Sequence, residues 1–231
     1  MSGGDAVAAP TRGNDAFYAV VRALLAGFCY VWFRARIAGR HNIPAEGPFI
    51  LAPVHRSNVD TLIMACPTRR PMRFMGKESM WKYGWSARLF DGLGGIPVRR
   101  GTPDREAMRA CESSLREGRP IVVFPEGTRR GGPVIEEIFE GAAFLAVRTG
   151  APIVPVGIGG SERAMPKGSR WIHPVKVRAI VGPPILPPSR ETGLRGVRRE
   201  VRELSEQLHT VLQGLFDQAQ AAAGVTGTSP G

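Results

Sequence analysis

Residues 49–60 read FILAPVHRSNVD. The apolar run 49–54, with Pro48 before it and polar residues after it, reads as a buried strand that ends at His55. Ser57 or Asn58 is a suitable N-cap, and residues 61–65 continue as a mostly apolar helix until Pro67 stops it. His55 then occupies the strand-to-helix turn, with Asp60 one turn into the helix and within reach of the ring. A neutral imidazole takes a proton from a hydroxyl at neutral pH, and a carboxylate on its other nitrogen fixes the tautomer and steadies the imidazolium. The same residues also permit a simpler reading, in which Ser57 and Asp60 form a capping box and His55 is an ordinary loop histidine.

The remainder of the chain alternates strand and helix. Strands are expected at 121–124, 153–158 and 175–181, with a weaker one at 72–76 and a short one within 92–101. Helices are expected at 78–89, at 103–117 with Thr102 as N-cap and Gly118 as stop, and at 141–148 before Gly150. Residues 159–174 read as a long polar loop. Leu194, Val197, Val201, Leu204, Leu208, Val211, Leu212 and Leu215 recur at helical spacing, so the C-terminal region is an amphipathic helix. The fold class is α/β: one domain, 40–223, with a mixed, largely parallel sheet covered by helices. Residues 1–14 and 224–231 lack periodicity and read as disordered tails.

Residues 16–39 are strongly apolar but interrupted by Arg22 and closed by Arg34 and Arg36. Phe17, Tyr18, Phe28, Tyr30, Trp32 and Phe33, flanked by arginines, suit a helix lying in a membrane interface, and equally a first helix packed on the domain's own core. A net charge of +11 attracts nucleic acid, an anionic membrane or phosphorylated substrates. A nucleic-acid binder would carry arginines in a stripe with stacking aromatics, a pattern absent here, so no nucleic acid is expected. Cys29, Cys66 and Cys111 are isolated and odd in number, which fits a reducing compartment, and the scattered histidines have no zinc-type spacing, so no metal is expected.

Two further segments carry chemistry. In FPEGTRR, residues 124–130, a strand ends in a Gly-Thr turn that presents backbone N–H groups, the Thr128 hydroxyl and guanidinium groups beyond the strand end. In GGIPVRRG, residues 94–101, glycines precede Arg99 and Arg100 at another strand end, and strand alternation lets one arginine face the site. Arginine suits phosphate through its planar fork. Both segments can also be solvated basic loops.

HRSNVD, residues 55–60, resembles the HX4D motif of the glycerolipid acyltransferases. GGIPVRRG resembles their second motif, FPEGTRR their third, and APIVPV, residues 151–156, their fourth, in family order. The nearest subgroup is the bacterial 1-acyl-sn-glycerol-3-phosphate acyltransferases. The resemblance implies transfer of a fatty acyl group from acyl-CoA or acyl carrier protein to the sn-2 hydroxyl of lysophosphatidic acid, without metal or cofactor. It implies His55 as general base with Asp60 as its partner. It assigns Arg100, Glu126, Gly127, Thr128 and Arg129 to the substrate-phosphate region, and Ser57 and Pro155 to an acyl or acceptor pocket. It also implies a peripheral or monotopic place on the cytoplasmic face of the cell membrane, against anionic lipid. Pro97, Arg99, Phe139 and Glu140 depart from the family pattern and leave the acceptor open, with glycerol 3-phosphate or another lysolipid as alternatives. A lipid-binding module without catalysis explains the charge and the apolar N-terminus, but gives no reason for His55, Asp60 and both arginine loops together.

Overall fold

The computed structural model describes residues 12–98, 104–166, 169, 171–188 and 194–225. Strand β2 (Ile50–Pro53) lies at the centre of a seven-stranded sheet. On one side follow β6 (Ile153–Gly159), β7 (Arg178–Val181) and β1 (Arg36–Ala38); on the other follow β5 (Ile121–Val122), β3 (Arg73–Lys77) and β4 (Ile96–Val98). Every pairing is parallel except β6 with β7. All residues of β2 and β6 are buried, which is why their sequences are unbroken apolar runs rather than alternating ones. A parallel sheet places the ends of several strands along one edge, and His55 follows β2 at that edge.

Six α-helices are described: α1 (Arg12–Trp32), α2 (Asp60–Ile63), α3 (Gly84–Gly92), α4 (Arg105–Arg116), α5 (Gly141–Thr149) and α6 (Leu194–Ala223). α6 lies across β6 and β7, and its approach is set by glycine: a Cβ at Gly157 would stand 2.2 Å from the Leu215 carbonyl oxygen, and one at Gly159 2.2 Å from the Ala219 carbonyl carbon. Val201, Leu204, Leu208, Leu212 and Leu215 are buried along the expected stripe, and Phe216 and Ala219 extend it.

Several local expectations are corrected. The helix expected over 78–89 is two pieces, a 3-10 turn at Glu78–Trp81 and then α3, because Tyr83 between them is extended. The apolar stretch 16–39 is not helical throughout: α1 ends at Trp32, Arg34 turns the chain at φ 45, and β1 joins the sheet beside β7. Asp104 caps α4, its side chain accepting the Ala107 N–H at 3.0 Å, whereas Thr102 and Pro103 lie outside the described residues. The proposed tails, 1–14 and 224–231, fall mostly outside them too, though α1 already includes residues 12–14.

α1 serves two surroundings. Tyr18, Ala26 and Cys29 are buried against the domain, and so is Phe33 just past the helix end, whereas Val20, Leu24 and Val31 are 59%, 70% and 79% exposed. Its stretch Asp15–Trp32 is long and apolar enough to cross a membrane by length and composition.

Candidate active site

The turn after β2 is held by one carboxylate oxygen. Asp60 Oδ2 accepts the backbone N–H groups of Arg56 at 2.7 Å and Ser57 at 2.6 Å, and lies 3.1 Å from His55 Nδ1. Asp60 is fully buried and His55 is 8% exposed. The carboxylate therefore caps the turn through backbone N–H groups and orients the imidazole at once. With Nδ1 so engaged, Nε2 is the ring nitrogen left for chemistry. The expected N-cap is corrected: the helix begins at Asp60 with Val59 before it, and Ser57 Oγ is buried without a partner among the described residues.

A second buried carboxylate fixes the turn from the other side. Glu126 Oε1 accepts the His55 backbone N–H at 2.7 Å, and Glu126 Oε2 accepts from Arg56 Nη1 at 2.8 Å. The two charged side chains are 1% and 2% exposed. Arg56 also donates to the Val134 carbonyl at 3.1 Å and lies 4.8 Å over the Phe216 ring, which ties the turn to α6. Burial pushes the Glu126 carboxyl up from its ordinary range, against the opposing pull of the His55 N–H and the Arg56 guanidinium. The Arg130 N–H donates to the His55 carbonyl at 3.0 Å, and the Phe124 ring lies 4.2 Å from the imidazole. Residues 124–130 are thus docked directly on the histidine turn.

His55, Gly127, Thr128 and Arg130 open onto a cavity of about 890 Å³, whose walls include Leu25, Phe74, Met75, Met80, Trp81 and Phe90. Its volume suits a sizeable apolar ligand fixed by a few polar groups. Trp81 and Phe90, whose rings lie 5.2 Å apart, both line this cavity. Gly127 adopts φ 63, and a Cβ there would stand 2.5 Å from the Phe139 ring, so glycine lets that ring, itself a wall of the cavity, pack against the turn.

The sequence-expected site residues separate into groups. His55, Asp60, Gly127 and Thr128 come together. Glu126 is near but faces inward, bound to Arg56 and the His55 N–H, and does not line the cavity. Arg129 is exposed and does not line it either; its neighbour Arg130 does, with Nη1 2.9 Å from Glu136. Pro155 is buried inside β6, paired with Ala52, and Ser57 is buried within the turn, and neither lines this cavity. Arg100 lies outside the described residues. Arg56 was missed, and the available signal was its place inside HRSNVD, where an arginine between a buried strand and a buried helix needs an acid. The backbone N–H groups of Arg56 and Ser57, natural oxyanion donors at a helix start, are already taken by Asp60.

The acyltransferase family model matches residues 34–159. A chloroplastic 1-acyl-sn-glycerol-3-phosphate acyltransferase of Brassica napus is 27% identical over 163 residues, covering 68% of this chain and 46% of that protein. The 1-acyl-sn-glycerol-3-phosphate acyltransferase of Bacillus subtilis is 24% identical over 151 residues, covering 65% of this chain and 73% of that protein. The chain spans about half the length of the chloroplastic relatives it matches. Among solved structures, the 1-acyl-sn-glycerophosphate acyltransferase PlsC from Thermotoga maritima superposes with a TM-score of 0.64 at 25% identity, covering 87% of this chain and 83% of that one.

Proposed function

As a member of the acyltransferase family, to which this chain belongs, the protein, we propose, transfers a fatty acyl group from an acyl thioester, acyl-CoA or acyl carrier protein, to the sn-2 hydroxyl of 1-acyl-glycerol 3-phosphate. The observation that carries this reading is a histidine held through Nδ1 by a buried carboxylate at the wall of a largely apolar cavity. His55 Nε2 takes the acceptor's hydroxyl proton as that oxygen attacks the thioester carbonyl. The tetrahedral adduct collapses, the carbon–sulfur bond breaks, and the imidazolium returns the proton to the departing thiolate. Asp60 keeps the tautomer and stabilises the imidazolium; Glu126 and Arg56 hold the turn that carries the base. The apolar walls take the acyl chain. Arg129 and Arg100 remain proposed contacts for the acceptor phosphate, with Arg130 at the cavity wall. The outward face of α1 is proposed to rest in the membrane interface, on the cytoplasmic side.

The test is thiol release from palmitoyl-CoA by the purified protein, with and without lysophosphatidic acid. Release that depends on the acceptor is expected, and His55→Ala should lower turnover by about 10² to 10⁴ while thermal unfolding stays unchanged. Full activity in His55→Ala, or equal release without acceptor, would remove the proposed reaction.

A further inference from the structure

The opposite edge of the sheet carries a second, smaller cavity. Before β5, β3 and β4 begin, about 230 Å³ is enclosed by residues that include Arg70, Arg73, Arg119, Tyr18 and Asp15. Tyr18 and Leu93 line both cavities, so the small one backs onto the wall of the large one. β3 runs from Arg73, on the small cavity, to Lys77, on the large one. At about 3.3 Å per residue these ends are roughly 13 Å apart.

The three guanidinium groups differ in what holds them. Arg70 donates to the carbonyls of Pro44 at 2.9 Å and Gly47 at 2.5 Å and lies over the Phe49 ring. Arg119 is partly exposed, with Glu117 3.7 Å away. Arg73 is only 8% exposed, and its Nε has no partner among the described residues. Burial, and then the neighbouring Arg119, push the Arg73 guanidinium down from the usual arginine range, yet arginine stays charged at neutral pH. A buried cation beside another cation is unfavourable until an anion joins them. Of the nearby acids, Glu117 is paired with Arg119 and its charge offsets part of this penalty at Arg73, but no ion pair links Glu117 or Asp15 to Arg73 itself among the described residues.

The remaining walls leave room for such an anion. Gly92, Gly94 and Gly118 contribute backbone and no side chain. Gly94 has φ 70, and a Cβ there would stand 3.3 Å from Arg73 Cγ, crowding the arginine stem. The Tyr18 hydroxyl accepts the Met72 N–H at 3.2 Å, which leaves its own proton to donate.

We infer that this cavity is a phosphate-binding site distinct from the catalytic cleft, with Arg73 and Arg119 as the charged ligands and the Tyr18 hydroxyl as an added donor. Two guanidinium forks match the charge and several oxygens of a phosphate, where a carboxylate would occupy one fork. The phosphate group is supplied either free in solution or as a monoester headgroup at a membrane surface, since α1 carries Asp15 and Tyr18 beside the exposed Phe17 and Val20.

The experiment is calorimetric titration of the full chain with inorganic phosphate at constant ionic strength. In parallel, the chain is sedimented with phosphatidylcholine vesicles with and without phosphatidic acid. Arg119→Gln, at a partly exposed position that the fold does not depend on, is expected to weaken binding by about tenfold or more in one arm. Arg202→Gln, on the exposed side of α6 and in neither cavity, is expected to leave that binding within about twofold, and Arg130→Gln probes the other cavity. Arg73→Gln should act like Arg119→Gln, with a circular dichroism melt to establish that it is folded. An effect in the titration identifies free phosphate as the source; an effect only with phosphatidic acid identifies the headgroup. Binding lost in Arg130→Gln but kept in Arg119→Gln would assign the phosphate to the catalytic cleft and overturn the proposal. So would two arms that are both indifferent to Arg119.

Discussion

Glu126 sits where a phosphate-binding turn was expected, and its side chain faces inward. Its two oxygens hold the His55 N–H and the Arg56 guanidinium, both out of water. Breaking such a pair leaves one charge buried and alone, so Glu126→Ala is expected to cost about 3–5 kcal/mol in urea unfolding. Replacing both partners, Glu126→Leu with Arg56→Met, should recover most of that stability, because two apolar groups of similar size carry no desolvation penalty. The double variant should still be slow in acyl transfer, since the His55 N–H has lost its acceptor. Equal destabilisation of the single and double variants would show that the pair is not what holds the turn. This role was not legible in FPEGTRR, where a glutamate beside two arginines reads as part of a charged loop. Only the fold turns it inward and leaves Arg129 outside.

At the scale of elements, the contact between α6 and β6 has a simple requirement. The helix backbone lies directly over Gly157 and Gly159, so there is no room for a methyl group. Gly157→Ala meets backbone atoms that cannot rotate away, and is expected to destabilise by about 3 kcal/mol or more, or to prevent folding. Gly214, exposed on the outer side of the same helix with nothing within 4 Å of an added Cβ, gives the opposite sign. Gly214→Ala should stabilise by about 0.5–1 kcal/mol, as helix propensity dictates. Thermal melts of both variants check the pair of predictions, and a neutral Gly157→Ala would mean that α6 docks differently. The period of α6 was readable from its leucines. The break in 78–89 was not, because Tyr83 and Gly84 suit either a continuous helix or a joint, and the packing of Trp81 toward the cavity selects the joint.

For the whole molecule, α1 has two different faces: Tyr18, Ala26 and Cys29 are packed on the domain, whereas Val20, Leu24 and Val31 are turned outward. If the outward face enters lipid, Leu24→Glu combined with Val31→Glu should weaken vesicle binding by at least about tenfold, since each apolar side chain buried is worth roughly 1.5–3 kcal/mol. Stability in solution should stay within about 0.5 kcal/mol, because neither side chain is packed on the domain. Vesicle sedimentation measures the first and denaturant titration the second. Unchanged vesicle binding would assign membrane contact to another surface.

The sequence by itself determined the strand-and-helix alternation, the buried centre of the sheet, the stripe of α6, and the pairing of His55 with Asp60. These follow from local rules: side-chain period, turn chemistry, and residues close enough in the chain to meet within one turn. The tertiary structure alone decided that β1 joins β7, that Glu126 meets Arg56, that Arg130 rather than Arg129 lines the cavity, and that Arg73 and Arg119 converge at the far edge. Each depends on segments distant in sequence being brought into contact and on which side of a turn faces water, and no local pattern encodes that.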